Sequence, residues 1–153
     1  MGHLFGAFCD INTAVKLHPT STMLTNRGVI QQYMKDPANA MSDFQQAIAA
    51  DPKYSLAYFN AANLYFNMRI FEKALRYYDM AVENCRDDEG AVLNRAIAKV
   101  LLKDYAGALE DFDTAIALNP FAAHSYFNRG NLYLTMCKFT INSAKTTYFS
   151  PVT

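Results

Sequence analysis

The sequence lacks most of the features by which an enzyme or a metalloprotein is recognised. Its 153 residues include three cysteines and no tryptophan. Cys9, Cys85 and Cys137 form no Cys-x-x-Cys pair, so neither a disulfide framework nor a zinc site is favoured. The histidines are scattered, and no Gly-x-Ser-x-Gly, phosphate-loop or dinucleotide motif is present. We therefore expect a protein that is not an enzyme and that uses no cofactor or metal.

An excess of charge of one sign is also missing. Lysine plus arginine number 14, and so do aspartate plus glutamate, so nothing draws the chain to nucleic acid or to an acidic membrane surface. No segment approaches the ~18 uninterrupted apolar residues of a membrane span. The first ten residues make a poor signal peptide, because Asp10 interrupts their apolar run. These absences, with the unpaired thiols, predict a cytoplasmic protein that binds neither nucleic acid nor a membrane.

What the sequence does contain is a repeat of 34 residues. Five rows of similar residues recur at this spacing: Gly28, Ala62, Ala96 and Gly130; Ala40, Ala74 and Ala108; Phe44, Tyr78 and Phe112; Ala47, Ala81 and Ala115; and, two periods apart, Pro52 and Pro120. A fixed period of this length is typical of solenoid proteins built from stacked supersecondary units.

Each unit has the pattern of two helices. Apolar residues recur three and four apart over 55–68 and again over 71–82, with a short break between the two stretches. Asp36 before Pro37 is a helix start, and Asp104 can cap the corresponding helix of a later unit. Asp-Pro at 51–52 and Asn-Pro at 119–120 should end the second helices, because a residue before proline disfavours helical geometry.

This order of small, small, aromatic, small and proline residues resembles the tetratricopeptide repeat. Residues 57–66 and 125–134 are similar to its first helix, and residues 71–82 and 105–120 to its second. The resemblance implies an all-α, right-handed α-solenoid of antiparallel helix-turn-helix repeats. It implies complete repeats at 21–54, 55–88 and 89–122, a second helix alone at 1–20, a first helix alone at 123–138, and an irregular tail at 139–153. A fragment or short isoform of a longer array is therefore expected.

The resemblance places the first helices on the concave face, where asparagines form a ladder at 34-residue spacing: Asn26, Asn60, Asn94 and Asn128. Asn63 and Asn131 lie three residues further on, on the same helix face. An amide both donates and accepts, so the ladder could hold the main chain of an extended peptide. It could equally bond neighbouring repeats. Amides alone bind too weakly, so apolar pockets are expected from Phe59, Phe66, Leu93 and Phe127.

One ligand class is disfavoured. Chaperone-binding members of this family hold an acidic C-terminal tail with three cations and two asparagines. The asparagines would fall on Asn63 and Asn94, but the cationic places fall on Phe59, His124 and Asn128. We therefore expect no tight binding of acidic chaperone tails. Two alternatives to peptide binding stay open: an architectural segment of a longer ciliary, transport or chaperone scaffold, and self-association through the uncovered last helix.

Overall fold

A computed structural model describes the backbone of residues 2–148 and the side chains of residues 3–138. Within that range the chain forms eight α-helices and no strand, which confirms the predicted all-α fold. In order, the helices are α1 Gly2–Leu17, α2 Ser21–Tyr33, α3 Pro37–Ala50, α4 Ser55–Asn67, α5 Phe71–Asn84, α6 Glu89–Leu101, α7 Tyr105–Leu118 and α8 Ala123–Tyr148. The predicted caps are confirmed, since Asp36 and Asp104 accept from the backbone amides of Asn39 and Gly107.

The helices stack as hairpins. The most extensive contacts join α2 to α3, α4 to α5 and α6 to α7, and the resulting pairs contact one another through α3–α4 and α5–α6. Helix α1 packs on α2, and α7 on α8, in the same manner. Contacts also join α2 to α4 and α6 to α8. The first helices of successive repeats therefore lie side by side and form one wall of the solenoid.

Small residues allow the paired helices to approach closely. Phe44, Tyr78 and Phe112 are almost completely buried between them. A Cβ atom built on Gly28 would lie 2.6 Å from Cε1 of Phe44 and 3.1 Å from the carbonyl oxygen of Ala40. At Gly130, the same position of the last repeat, it would meet no atom of the described residues within 4 Å. Close packing by an aromatic ring is what demands glycine at position 28.

The contrast between the crowded Gly28 and the open Gly130 can be tested by replacing each glycine with alanine. Overpacking costs about 1–3 kcal/mol, and the better helix propensity of alanine returns at most about 1 kcal/mol. We expect Gly28→Ala to lower the free energy of unfolding by about 1–2 kcal/mol and Gly130→Ala to raise it by up to about 1 kcal/mol. Urea denaturation of both variants measures this. Equal effects at the two sites would contradict the packing argument.

The turn inside each complete repeat depends on a left-handed residue that is not glycine. Lys35, Arg69 and Lys103 have φ values of 64°, 60° and 65°. The next amide, at residue 36, 70 or 104, returns to the carbonyl of residue 31, 65 or 99, and the left-handed residue itself bonds the carbonyl three back. This pair of bonds is the Schellman arrangement that satisfies the last carbonyls of a helix. The first helices therefore end in the same way in all three repeats.

Glycine should be preferred at such a position. The left-handed conformation costs a residue with a Cβ roughly 1–2 kcal/mol, and the extra freedom of glycine in the unfolded chain offsets about half of that gain. We expect Arg69→Gly to stabilise the protein by about 0.5–1 kcal/mol. The control is Met68→Gly, because Met68 has a φ of −79° and gains nothing from glycine. Stabilisation by both substitutions in thermal melts would argue against strain at Arg69.

Helix α8 differs from the expected last unit. A first helix was expected to end at residue 138 and to give way to an irregular tail, but α8 continues to Tyr148. Lys138 stands where Asp36 and Asp104 cap the second helices, and residues 131–149 contain neither glycine nor proline. Because residues 131–149 provide neither a turn signal nor the small and aromatic pattern of a second helix, α8 continues without a break to Tyr148. Residues 149–153 of the expected tail lie outside the described residues.

Candidate functional site

All six predicted asparagines line a connected concave surface. A central groove of about 590 Å³ between α2, α4 and α6 contains Asn60, Asn63 and Asn94. A groove of about 450 Å³ between α1 and α2 contains Asn26 and shares Val29 with the central groove. A smaller one of about 100 Å³ between α6 and α8 contains Asn128 and Asn131 and shares Ile97. The shared residues make the three grooves one continuous surface along the first helices.

Two of the four ladder asparagines, Asn60 and Asn128, make their side-chain hydrogen bonds within their own helices. The side-chain amide of Asn60 donates to the carbonyl of Leu56 over 2.8 Å, and that of Asn128 to the carbonyl of His124 over 2.9 Å. Both bonds are local to one helix turn. Each side chain retains a second N–H and its carbonyl oxygen, which are the groups that could pair with a peptide main chain.

At the centre of the surface, asparagines of neighbouring repeats bond each other directly, and a tyrosine bonds one of them. The Tyr78 hydroxyl donates to Oδ1 of Asn63 over 2.6 Å, and Nδ2 of Asn94 donates to the same oxygen over 3.2 Å. Burial raises the pKa of Tyr78 well above its usual range, so the hydroxyl stays a donor at physiological pH. With its oxygen doubly engaged, Asn63 keeps its N–H groups for a ligand of the groove, whereas Asn94 keeps its carbonyl oxygen and one N–H.

Sequence reasoning missed several lining residues. Tyr78 lies on a second helix and lines the central groove. It is the one residue with a hydroxyl in the row of Phe44, Tyr78 and Phe112, and that hydroxyl could have indicated a polar contact at this position. Gln32, Asn67 and Lys35 also line the central groove, and Asp10 lines the groove between α1 and α2. Every groove residue named from the sequence was uncharged. The wall does carry two charged side chains, Lys35 and Asp10, because the turn and α1 also contribute to it.

The predicted apolar anchors lie in three different environments. Phe66 lines the central groove. Phe59 is half-buried against Tyr78, with ring centroids 6.1 Å apart, and Leu93 packs against two core clusters. Phe127, at the same position of its repeat, is 68 % exposed and lines none of the three grooves. Phe59 and Leu93 are held by packing between helices, so Val29, Phe66 and Ile97 supply the apolar surface of the central groove.

Most cations of the first helices are already paired. Nε and Nη2 of Arg27 donate to the two oxygens of Asp43 over 2.7 and 2.6 Å. Arg95 binds Asp111 in the same way, over 2.9 and 2.7 Å, and Lys99 lies 2.8 Å from that carboxylate. Asp43 and Asp111 are buried, so withdrawing an arginine would leave a buried charge without its partner. These cations are held between helices and are not available to a ligand in the groove.

Two other kinds of site were searched for in the part of the chain that the structure describes. No helix there is both long and apolar enough to cross a membrane. No group of three or more histidine, cysteine, aspartate or glutamate side chains is arranged there to hold a metal ion.

Stacked helix pairs with a concave wall of first helices define an α-solenoid repeat protein. The chain belongs to the tetratricopeptide-repeat family: two family models, both described as tetratricopeptide repeat, match residues 33–100 and 93–135. It is 48 % identical over 103 residues to human Tetratricopeptide repeat protein 6, covering 67 % of this chain and 20 % of that protein. It is 30 % identical over 116 residues to Anaphase-promoting complex subunit 3 of Schizosaccharomyces pombe, covering 72 % and 17 %. The chain thus spans about a fifth of the length of these curated relatives.

Solved structures share the fold at low sequence identity. MamA is similar with a TM-score of 0.79 at 17 % identity, covering 88 % of this chain and 80 % of that one. The first tetratricopeptide-repeat domain of Spaghetti, bound to the HSP90 peptide SRMEEVD, is similar with a TM-score of 0.73 at 20 % identity, covering 76 % and 93 %. At these identities the likeness concerns the fold alone.

The hydroxyl of Tyr78 can be tested by itself. A net hydrogen bond contributes about 0.5–1.5 kcal/mol, so Tyr78→Phe should lower the free energy of unfolding by about 1 kcal/mol while leaving the ring in place. Tyr33→Phe is the control, because Tyr33 is 72 % exposed. Chemical denaturation compares the two variants. A Tyr78→Phe protein as stable as the Tyr33→Phe protein would show that the hydroxyl does not hold Asn63.

Proposed function

We propose that this chain is a protein-interaction scaffold that holds an extended, weakly charged peptide along its concave face. The observation that carries the proposal is the continuous surface that contains all six asparagines, with amide groups left over for a guest. The central groove has a volume of about 590 Å³, which falls in the range of ligand sites, roughly 300–1,000 Å³. The proposal assigns the chain no catalytic step, and a cytoplasmic location stays a prediction.

The amides cannot supply the affinity alone. At about 1 kcal/mol net for each hydrogen bond, six of them fall short of the roughly 8 kcal/mol of micromolar binding. Val29, Phe66 and Ile97 line the same central groove and can bury apolar side chains of the guest. We therefore infer that main-chain bonds to the amides set the path of the peptide, and that one or two apolar residues anchor it.

The charge distribution disfavours an acidic guest. The positions that would need cations hold Phe59, His124 and Asn128, and the nearby arginines are engaged by Asp43 and Asp111. Charge-assisted hydrogen bonds contribute about 1.5–3 kcal/mol each, and Lys35 alone cannot replace three cations. Although Spaghetti's domain binds SRMEEVD, we infer that the present groove binds such a tail poorly.

A peptide selection tests this proposal. Ten-residue peptides would be selected from a random displayed library on the wild-type chain, and the strongest uncharged peptide measured by calorimetry. Asn60→Ala with Asn128→Ala should weaken it about 30-fold, because two hydrogen bonds amount to about 2 kcal/mol. The matched control is Asn84→Ala: Asn84 also donates to its own helix, to the Met80 carbonyl over 2.8 Å, but lies outside the three grooves.

Two results would contradict the proposal. One is equal weakening by the control substitution, which would point to loss of helix stability instead of loss of contacts. The other is low-micromolar binding of SRMEEVD, which would require cations that the groove does not offer.

A further inference from the structure

The two end helices of the described chain are of opposite kinds. Helix α1 packs on α2 in the way that the second helices α3 and α5 pack on α4 and α6. Helix α8 packs on α7 as a first helix does. Within the described residues, α1 has no first helix preceding it to complete its own repeat, and α8 has no second helix following it to complete its own. Each end therefore leaves uncovered the face that the other kind of helix would cover.

On α8, Arg129 makes one of the three hydrogen bonds that its counterpart Arg95 makes. Arg95 gives Nε and Nη2 to Asp111 of its own repeat and Nη1 to Asp79 of the preceding one, over 3.3 Å. Arg129, at the same position of the last repeat, gives Nη1 to Asp113 over 2.5 Å. Its Nε and Nη2 have no hydrogen-bond partner among the described residues. The acceptor should stand 16 residues on, but that residue is Lys145, about 24 Å along the same helix.

Next to Arg129 on α8, the space over Gly130 is not filled by any described side chain. The ring of Phe44 fills the space over Gly28, whereas nothing lies within 4 Å of a Cβ built on Gly130. Around it, large apolar side chains are exposed: Phe127 at 68 % and Leu134 at 61 %. An apolar side chain and a carboxylate, adjacent on one helix, would complete this face.

Helix α1 carries those two groups at the required spacing. Four residues of α1 match four residues of α3 at a constant spacing of 33. The α1 set is Ala7, Asp10, Ile11 and Ala14, and the α3 set is Ala40, Asp43, Phe44 and Ala47. In α3 these four residues are buried against α2, with Asp43 on Arg27 and Phe44 over Gly28. Asp10 is exposed and has no hydrogen bond or ion pair among the described residues. The 450 Å³ groove lined by Ala7, Asp10 and Ile11 on one side and by Asn26, Val29 and Ile30 on the other is the place of a first helix.

We propose that α8 of one copy binds in the α1–α2 groove of a second copy and completes a repeat between the two chains. The second copy's Asp10 takes Nε and Nη2 of Arg129, and the second copy's Ile11 fills the space over Gly130. The contact joins two different faces, so a dimer leaves one face of each kind unfilled and further copies can add to it. The concave surface would then pass from Asn128 of one copy to Asn26 of the next. This association needs no bound peptide, and α8 and a peptide would compete for the α1–α2 groove because both occupy it.

Sedimentation of the full chain from about 5 to 500 µM tests the proposal. The wild type should form oligomers that grow with concentration beyond a dimer. Asp10→Arg and Arg129→Asp each place like charges in the contact, and each should lower the association constant at least tenfold. The double variant, or an equal mixture of the two single variants, should restore association. Glu83→Arg, at an exposed site of α5, is the control and should associate as the wild type does.

Gly130→Leu provides a second measurement. Its side chain enters empty space, so circular dichroism should show an unchanged fold while association is lost. A wild type that stays monomeric over the whole range would overturn the proposal. So would a closed dimer that Gly130→Leu disrupts and the charge reversals do not, because that result would place two α8 faces against each other.

Discussion

The structure depends on how closely two helices can approach across a single aromatic ring. Phe44, Tyr78 and Phe112 each fill the space inside one hairpin, and the facing positions accept only glycine or alanine, as the 2.6 Å approach to Gly28 illustrates. This short separation brings the next hairpin into register, so that α2, α4, α6 and α8 meet along one wall. The positions of the asparagines along this wall follow from that registry.

The same geometry determines where charge can be. Arginines of the first helices lie at the junction with the second helices, where Asp43 and Asp111 hold them. The middle repeat has Ala61 and Tyr77 at these places and packs Tyr77 against Tyr58 and Tyr65 instead. Ionic and aromatic contacts thus do the same structural task in neighbouring repeats. The concave surface is left with amides, aromatic rings and few charges.

The fold could be predicted from the sequence because close packing restricts each repeated position to small residues or to aromatic ones, so the 34-residue period is visible. The helix pairs, the caps at Asp36 and Asp104 and the side on which the six asparagines lie followed from that period. The left-handed turns at Lys35, Arg69 and Lys103 could not be predicted, because lysine and arginine carry no signal for that conformation. The position of a residue within the repeat also could not show whether its side chain lies in the groove or in the core. Phe59 and Leu93 occupy the same repeat position as the exposed Phe127, and they are buried because neighbouring helices pack against them.

The bond from Tyr78 would give a peptide on the proposed surface a preferred direction. A freely rotating amide would serve a polypeptide that runs either way, since it can exchange its donor and acceptor. Asn63 cannot make this exchange while its oxygen holds two hydrogens, so it offers hydrogens where Asn94, one helix further along, offers an oxygen. A main chain presents its carbonyls and amides in an order that reverses with its polarity. One hydroxyl on a second helix would therefore distinguish a guest entering by its amino end from the same guest entering by its carboxyl end.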